Sequence, residues 1–391
     1  MSRSFLALPR AFWILWVGQF INRLGGFVLT FLPLFLTEHH HYTPARAGTV
    51  QALFGLGSLA GASLGGWATD RFGRRRTILV ATVGSALVVA AFGWAPPGPL
   101  LALAAFLHGV GNAYGPALTA AISDVVPPAE RKRAFGYFYW AVNLGFTCAA
   151  VLGGALAQRG YHWLFIGDAA TTLGLAFVVH RFFPESRPEA REGAKNPSLL
   201  EMPRVIADPR FAGFLGAQFL LLVVFIQSFC TMPFEERAHG LTVSDVGLIA
   251  ALNGVVIVVV QPLFVRVTRT AHAWRILALA AALVGAAALL VAHARTLEAF
   301  ALGMAVVSLG EVAFSSAAPA FVAHIAPADR RGTYQGAYSL CWAAASLVAP
   351  LGGPALLQRW GGAAMWHVGA AMCTLALAVH VTRTRRAEAA G

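Results

Sequence analysis

"VVSLGEVAFSSAAPAF", residues 306–321, carries one charge, Glu311, in a run otherwise made of apolar and small residues. From Leu297 to Ala323 the only other acid is Glu298, at the start. A run of this length exceeds the ~20 residues that cross a hydrocarbon core about 30 Å thick. The rest of the chain agrees: of 391 residues, 58% are hydrophobic and 12% charged, and the mean hydropathy is +0.65. A soluble domain carries about a quarter charged residues. The chain therefore reads as an all-α polytopic membrane protein. A charge at the centre of one of its helices costs about 2.5–3.5 kcal/mol on insertion scales. Glu311 is kept against that cost, which makes it the first candidate for a functional group.

Twelve spans are expected, at approximately 12–36, 46–68, 77–94, 100–125, 134–156, 163–182, 211–233, 244–267, 274–294, 298–323, 333–356 and 365–381. Helices of this length satisfy their own backbone groups inside lipid. Alternating strands of about ten residues are not apparent, which argues against a barrel. The first span is too long and too polar for a cleaved leader, with Arg23 inside it. With both termini placed inside, 23 Lys and Arg fall on the inner side and five outside: Arg46, Arg159, Arg237, Arg295 and Arg359. That is the positive-inside asymmetry, so the net charge of +12 reflects topology and an anionic inner leaflet. The basic residues are spread over short loops, which speaks against a nucleic-acid partner. With 27 Arg to two Lys, a GC-rich bacterial source and its cytoplasmic (inner) membrane are expected, both termini cytoplasmic.

Cys148, Cys230, Cys341 and Cys373 all fall in expected helices, far apart, with neither metal nor disulfide spacing. "EHHHY", Glu38 to Tyr42, could hold a transition metal, although a solvated loop is the plainer reading.

The chain repeats itself. A shift of 199 residues lays Gln19-Phe20 on Gln218-Phe219, Thr43 and Gly48 on Thr242 and Gly247, and "PAER" (128–131) on "PADR" (327–330). It also lays "LGG" (152–154) on "LGG" (351–353). One gap-free offset running from the first helix of each half to the fifth marks a duplicated six-helix unit. The expected domains are 1–182, an inner linker 183–210 rich in Pro and mixed charge, and 211–391. Two parallel six-helix repeats with a site near the midplane is a transporter plan. Under the same shift Glu311 falls on Asn112, so each half carries a polar residue at the matched place.

Polar residues form faces on these helices. Span four has His108, Asn112, Gly115, Thr119 and Ser123 at helical spacing, and span ten has Ser308, Glu311 and Ser315. Span one offers Gln19, Asn22, Arg23 and Thr30, and span seven Gln218. Such faces turn toward protein or water. For Gln19, Gln218, Asn143 and Asn253 the plainer reading is an interhelical hydrogen bond of ~0.6 kcal/mol that holds packing. For Glu311 and Arg23 it is an ion pair with each other. Gly57, Gly61 and Gly65 recur every four residues on span two, the small-residue spacing of close helix contact.

"GGWATDRFGRRR", Gly65 to Arg76, resembles the signature G-x-x-x-D-R-x-G-R-R between helices two and three of the major facilitator superfamily. Gly66, Asp70, Arg71, Gly73, Arg74 and Arg75 match in order, and with the spans, linker and repeat the resemblance covers essentially the whole chain. It implies twelve transmembrane helices in two pseudo-symmetric six-helix bundles around a central cavity. It also implies that the signature is a conformational latch, with Asp70 near the start of the eleventh helix around Thr333 and Arg71 or Arg74 reaching Asp124. Within the family the chain looks most like the drug/proton antiporters of multidrug efflux, from Gly310-Glu311, Asp124 and "YWAVNLG" (139–145). Proton-coupled peptide transporters share the tenth-helix Gly-Glu. Their first-helix E-x-x-E-R reads Gln19-x-x-Asn22-Arg23 here, and two efflux signatures are altered at Ala105-x-x-His108-Gly109 and at Gly145–Gly154.

The function expected is a proton-coupled secondary transporter, a monomer that exports apolar, perhaps-cationic small molecules by alternating access. Proton-coupled uptake of a small nutrient such as a peptide, sugar or organic acid is the alternative. Glu311 would couple the proton, with Asp124 as a second titrating group and His108 as a relay or a core histidine. Gln19, Asn22, Arg23, Asn112, Gln218, Ser308 and Ser315 would line the substrate cavity. Asp168, in span six with Thr171 and Thr172, could also titrate, although a structural role is the plainer reading. No cofactor is expected, the proton gradient being the energy source. No nucleophile motif, metal spacing or phosphate loop points to an enzyme.

Overall fold

The computed structural model describes residues 8–186, 202–268, 271–327 and 331–389. Its regular elements are helical throughout. Span one is α1 (Arg10–Leu24), α2 (Phe27–Leu34) and a π turn (Phe35–His39). α3 (Pro44–Phe72), α4 (Arg74–Phe92), α7 (Arg131–Arg159) and α8 (His162–Phe182) are spans two, three, five and six. Span four is α5 (Pro99–Val110), a 3-10 turn (Gly111–Ala113) and α6 (Tyr114–Val125). A short α9 (Met202–Ile206) lies in the stretch expected as linker, whose residues 187–201 are outside the described ones. Then come α10 (Pro209–Cys230), a short α11 (Met232–Ala238), α12 (Val243–Val267), α13 (Ala273–Ala292), α14 (Leu297–Ile325), α15 (Arg331–Trp360) and α16 (Gly362–Ala389).

Ten of these helices are long and apolar enough to cross a membrane. The first and fourth expected spans are present too, but broken, which corrects the reading of each as one continuous helix. In span one the break is Gly25-Gly26, and a Cβ on Gly25 would collide with the Thr171 hydroxyl of α8. Pro33, which has no N–H to donate, precedes the π turn. In span four the 3-10 turn tightens the backbone, so His108 to Ser123 do not run along one straight face. Thr119 and Ser123 give their hydroxyls to carbonyls of their own helix.

The described residues divide into two compact units. One gathers those within Met1–His41, Leu53–Glu192 and Val243–Ala251; the other gathers those within Tyr42–Ala52, Gly193–Thr242 and Leu252–Gly391. In the first, Phe12, Leu15, Ile78, Leu118, Leu175 and Val179 form a buried core. The glycine stripe of α3 packs this unit further: a Cβ on Gly57, Gly61 or Gly65 would strike the carbonyls of Phe106, Val110 and Ala113. Helix α3 thus lies backbone to backbone against span four, as the spacing predicts. In the second unit Phe321 stacks between Phe214 (4.8 Å) and Trp274 (4.3 Å), tying α14 to α10 and α13.

Candidate functional site

Both helix breaks of the first unit border one cavity of about 300 Å³. Its lining includes Arg23 and Gly26 at the first break, His108, Asn112 and Tyr114 at the second, and Asp168 and Thr172 of α8. A helix break leaves backbone groups and side chains free to face a cavity, which is where irregular backbone is tolerated in a membrane. Across this cavity the Arg23 guanidinium donates to the Tyr114 hydroxyl (3.1 Å), and Tyr114 donates to Asn22 Oδ1 (2.8 Å). Asn22 Nδ2 donates to Thr172 (3.0 Å), and Thr172 donates to Asp168 Oδ1 (3.3 Å). Asn112 donates to Ser58 of α3 at 3.0 Å. His108 stacks near Phe54 (5.2 Å), with no hydrogen-bond partner for Nδ1 among the described residues.

In the second unit Glu311 of α14 accepts from Asn253 of α12 at 2.7 Å. The same amide reaches Ser308 at 3.0 Å, and Ser308 donates to the Met304 carbonyl. The two halves thus use their matched positions alike: the fourth helix of each repeat is tied to the second, through Asn112–Ser58 in one and Glu311–Asn253 in the other. No cation of its own unit forms an ion pair with Glu311 among the described residues. Ser315 gives its hydroxyl to the Val312 carbonyl of its own helix.

Gln19 and Gln218, matched by the repeat, are both buried, at 2% and 0% exposure. Neither Gln19 Oε1 nor either polar atom of Gln218 has a partner among the described residues, so the interhelical bonds expected of them are not formed there. Asn143 bonds the Tyr139 carbonyl of its own helix.

The signature expected as a loop is mostly helix. α3 runs through Asp70 and Arg71 to Phe72, α4 begins at Arg74, and only Gly73 lies between them, at φ +94°. That left-handed region is open to glycine. Arg74 Nε pairs with Asp124 Oδ2 at 2.7 Å, and its Nη1 donates to the Thr69 carbonyl. Arg75 donates to the His180 carbonyl, and the Glu185 carboxylate accepts the backbone N–H groups of Arg74 (2.8 Å) and Arg75 (3.2 Å). An anion at the N-terminus of α4 satisfies two otherwise orphaned donors there. Asp70 and Arg71 are exposed, and Gly66 has open space beside it.

Sequence reasoning missed Tyr114, Ser58 and Thr172 as partners, and read Asn253 as packing. A hydroxyl or amide on an apolar helix was the available signal, but its partner lies 54 to 150 positions away. Among the described residues no group of three or more His, Cys, Asp or Glu is placed to hold a metal ion. Glu38 of "EHHHY" accepts from Tyr161 at 2.7 Å, and His40 is pushed below the usual histidine range by burial, then by His39 and His41. Outside the spans, burial pushes Glu235 of α11 above the usual carboxylate range, against the pull of His239 and Arg295.

The sequence profile of the Major Facilitator Superfamily matches residues 15–237 and 219–391. The chain is similar to a Na(+), Li(+), K(+)/H(+) antiporter of Planococcus maritimus, 26% identical over 88% of this chain and 89% of that one. It is also similar to multidrug resistance protein 1 of Bacillus subtilis, 28% identical over 66% of each. Among solved structures it matches the nucleoside transporter NupG (D323A mutant) with a TM-score of 0.80 at 14% identity, over 95% of this chain and 99% of that one. At that identity the likeness speaks for the fold alone. Broken first and fourth helices, a polar cavity, a one-residue joint between α3 and α4 and a profile match over nearly the whole length have one reading: the chain belongs to the Major Facilitator Superfamily of membrane transporters.

Proposed function

We propose that this carrier couples inward proton movement to the export of apolar or cationic small molecules, with Glu311 as the coupling group. The observation that supports this reading most is the setting of Glu311: a carboxyl group in mid-helix, in contact with the neutral amide of Asn253 at 2.7 Å. A carboxyl group so placed can bind and release a proton without first breaking an ion pair in its own unit. One proton moving inward through 100 mV is worth about 2.3 kcal/mol before any pH difference is added. The roles of the two relatives, cation/proton antiport and multidrug resistance, support the same class. The charge asymmetry of the loops supports a cytoplasmic-membrane location with both termini inside.

The test is proton flux in liposomes that hold the purified chain and a pH-sensitive dye, under an imposed gradient. A panel of lipophilic cations and neutral drugs is added to wild type and to Glu311→Gln. Proton movement that depends on a panel member and is lost in Glu311→Gln is the expected outcome. Equal flux in both proteins removes Glu311 from coupling and leaves a carrier of another kind.

A further inference from the structure

The duplication provides an internal control for the polar network of the first unit. Positions 199 residues on from Asn22, Arg23 and Tyr114 are Leu221, Leu222 and Ala313. The network is carried by one half alone, so the fold does not require it. Four interhelical or intrahelical polar contacts inside an apolar bundle are expensive to keep unless every member is satisfied.

The network also has a direction. Each hydrogen bond is donated away from Arg23 and toward Asp168: guanidinium to Tyr114, hydroxyl to Asn22, amide to Thr172, hydroxyl to Asp168. A guanidinium can only donate and a carboxylate can only accept, so the chain is polarised between a fixed cation and a group whose proton count can change. Asp168 is 7% exposed, and the backbone of Val28, in the first turn of α2, also donates toward it. The charged and titratable groups that share its cavity are Arg23 of α1, His108 of α5 and Tyr114 of α6. The packed neighbours α4 and α7 carry their charges at their ends, at Arg74–Arg76, Arg131, Arg133 and Arg159, outside the lining; α2 has none.

We propose that Asp168 is a second proton-binding carboxyl of this carrier, read out through Thr172, Asn22 and Tyr114 by Arg23. This rests on the proton coupling proposed above but uses a different residue in a different unit. In the step, a hydronium ion in the cavity gives its proton to Asp168 Oδ1, an O–H bond forms there, and one water is left. That oxygen then turns from acceptor to donor toward Thr172, and Thr172 must turn its own hydrogen toward Asn22. The Asn22 amide flips to accept it and donates to Tyr114 through Nδ2. Arg23 cannot accept, so the reversal stops at Tyr114, whose O–H stays intact and rotates to point into the cavity. Protonation on α8 thus frees a donor on α6, beside the break in span four.

The test is infrared difference spectroscopy of the full chain in lipid, stepped from high to low pH, on wild type and variants. Buried carboxyl groups give resolved C=O bands as they protonate. Beside any band from the half-buried Glu235 and the buried Glu236 of α11, wild type is expected to show two such components, with Asp168→Asn losing one and Glu311→Gln losing the other. An Asp168→Asn spectrum with all of the wild-type intensity overturns this inference, whatever Glu311→Gln does. A Glu311→Gln spectrum that keeps both components overturns the coupling reading while leaving Asp168 in place. Tyr114→Phe keeps the carboxyl and cuts the chain before Arg23, so it serves even if Asp168→Asn does not fold. The component that survives in Glu311→Gln should then move by about half a pH unit to one unit, the worth of one such hydrogen bond. An unmoved component overturns the link to Arg23.

Discussion

At Glu311 and Asp168 a carboxyl group meets amide or hydroxyl donors, whereas Asp124 at the C-terminal end of α6 meets the guanidinium of Arg74. Glu311 stood out in the sequence because one acid in a long apolar run is kept against a cost. The Arg74–Asp124 pair was legible through the resemblance. Asp168 stood out as an acid beside Thr172 in span six, but nothing in the linear order says that Thr172, one turn on, bridges it to Asn22 of α1. Helical period gives the face of a residue but not the helix that the face meets. Outside the spans, Glu235 allows a sign to be worked out. Its folded-state pKa is raised by burial, so its contribution to stability is present at low pH and is lost as pH rises through that raised value. Glu235→Gln should therefore melt at a higher temperature than wild type at pH 8, and the two should converge near pH 4. A lower melting point at pH 8 would mean that attraction to His239 and Arg295 outweighs burial.

Helices decide where the cavity lies. Gly25-Gly26 and the glycines at 109 and 111 were visible in the sequence, and their pairing within apolar runs is the signal that spans one and four could break. Composition alone still read both as continuous, because hydropathy averaged over a span is blind to two residues. The stripe on α3 was legible because its four-residue period has a single physical use, the approach of two backbones. Gly61→Leu should lower the melting temperature markedly, since the Val110 carbonyl would lie 2.5 Å from the first added carbon and backbone cannot step aside. Overpacking of this kind costs about 1–3 kcal/mol. Gly84→Ala of α4, with open space beside it, should instead gain about 0.5–1 kcal/mol from helix propensity. Thermal melts of both in one detergent check the pair, and similar losses would mean that the stripe does not hold α3 in place.

Over the whole molecule, hydropathy made the all-helical membrane architecture readable, a long-range average that survives local surprises. The division of polar chemistry between the repeats was not readable, because the offset aligns positions and says nothing of which half keeps a network. The latch role suggested for Asp70 belongs at this scale, since it concerns the transport cycle. Asp70→Asn should express and melt like wild type, because the side chain is exposed, yet move substrate several-fold more slowly in liposomes. Wild-type turnover in that variant would remove Asp70 from the cycle.

Gly73 has one more consequence. A joint of a single residue between α3 and α4 has only two soft torsions, φ and ψ, where an ordinary loop has a dozen. Glu185 clamps the near end of α4 and Arg74 ties it to α3 and α6, so even those two torsions are not free to wander. The pair is therefore stiffly joined: a tilt of α3 at Gly73 meets only those two torsions, both pinned, before it reaches α4.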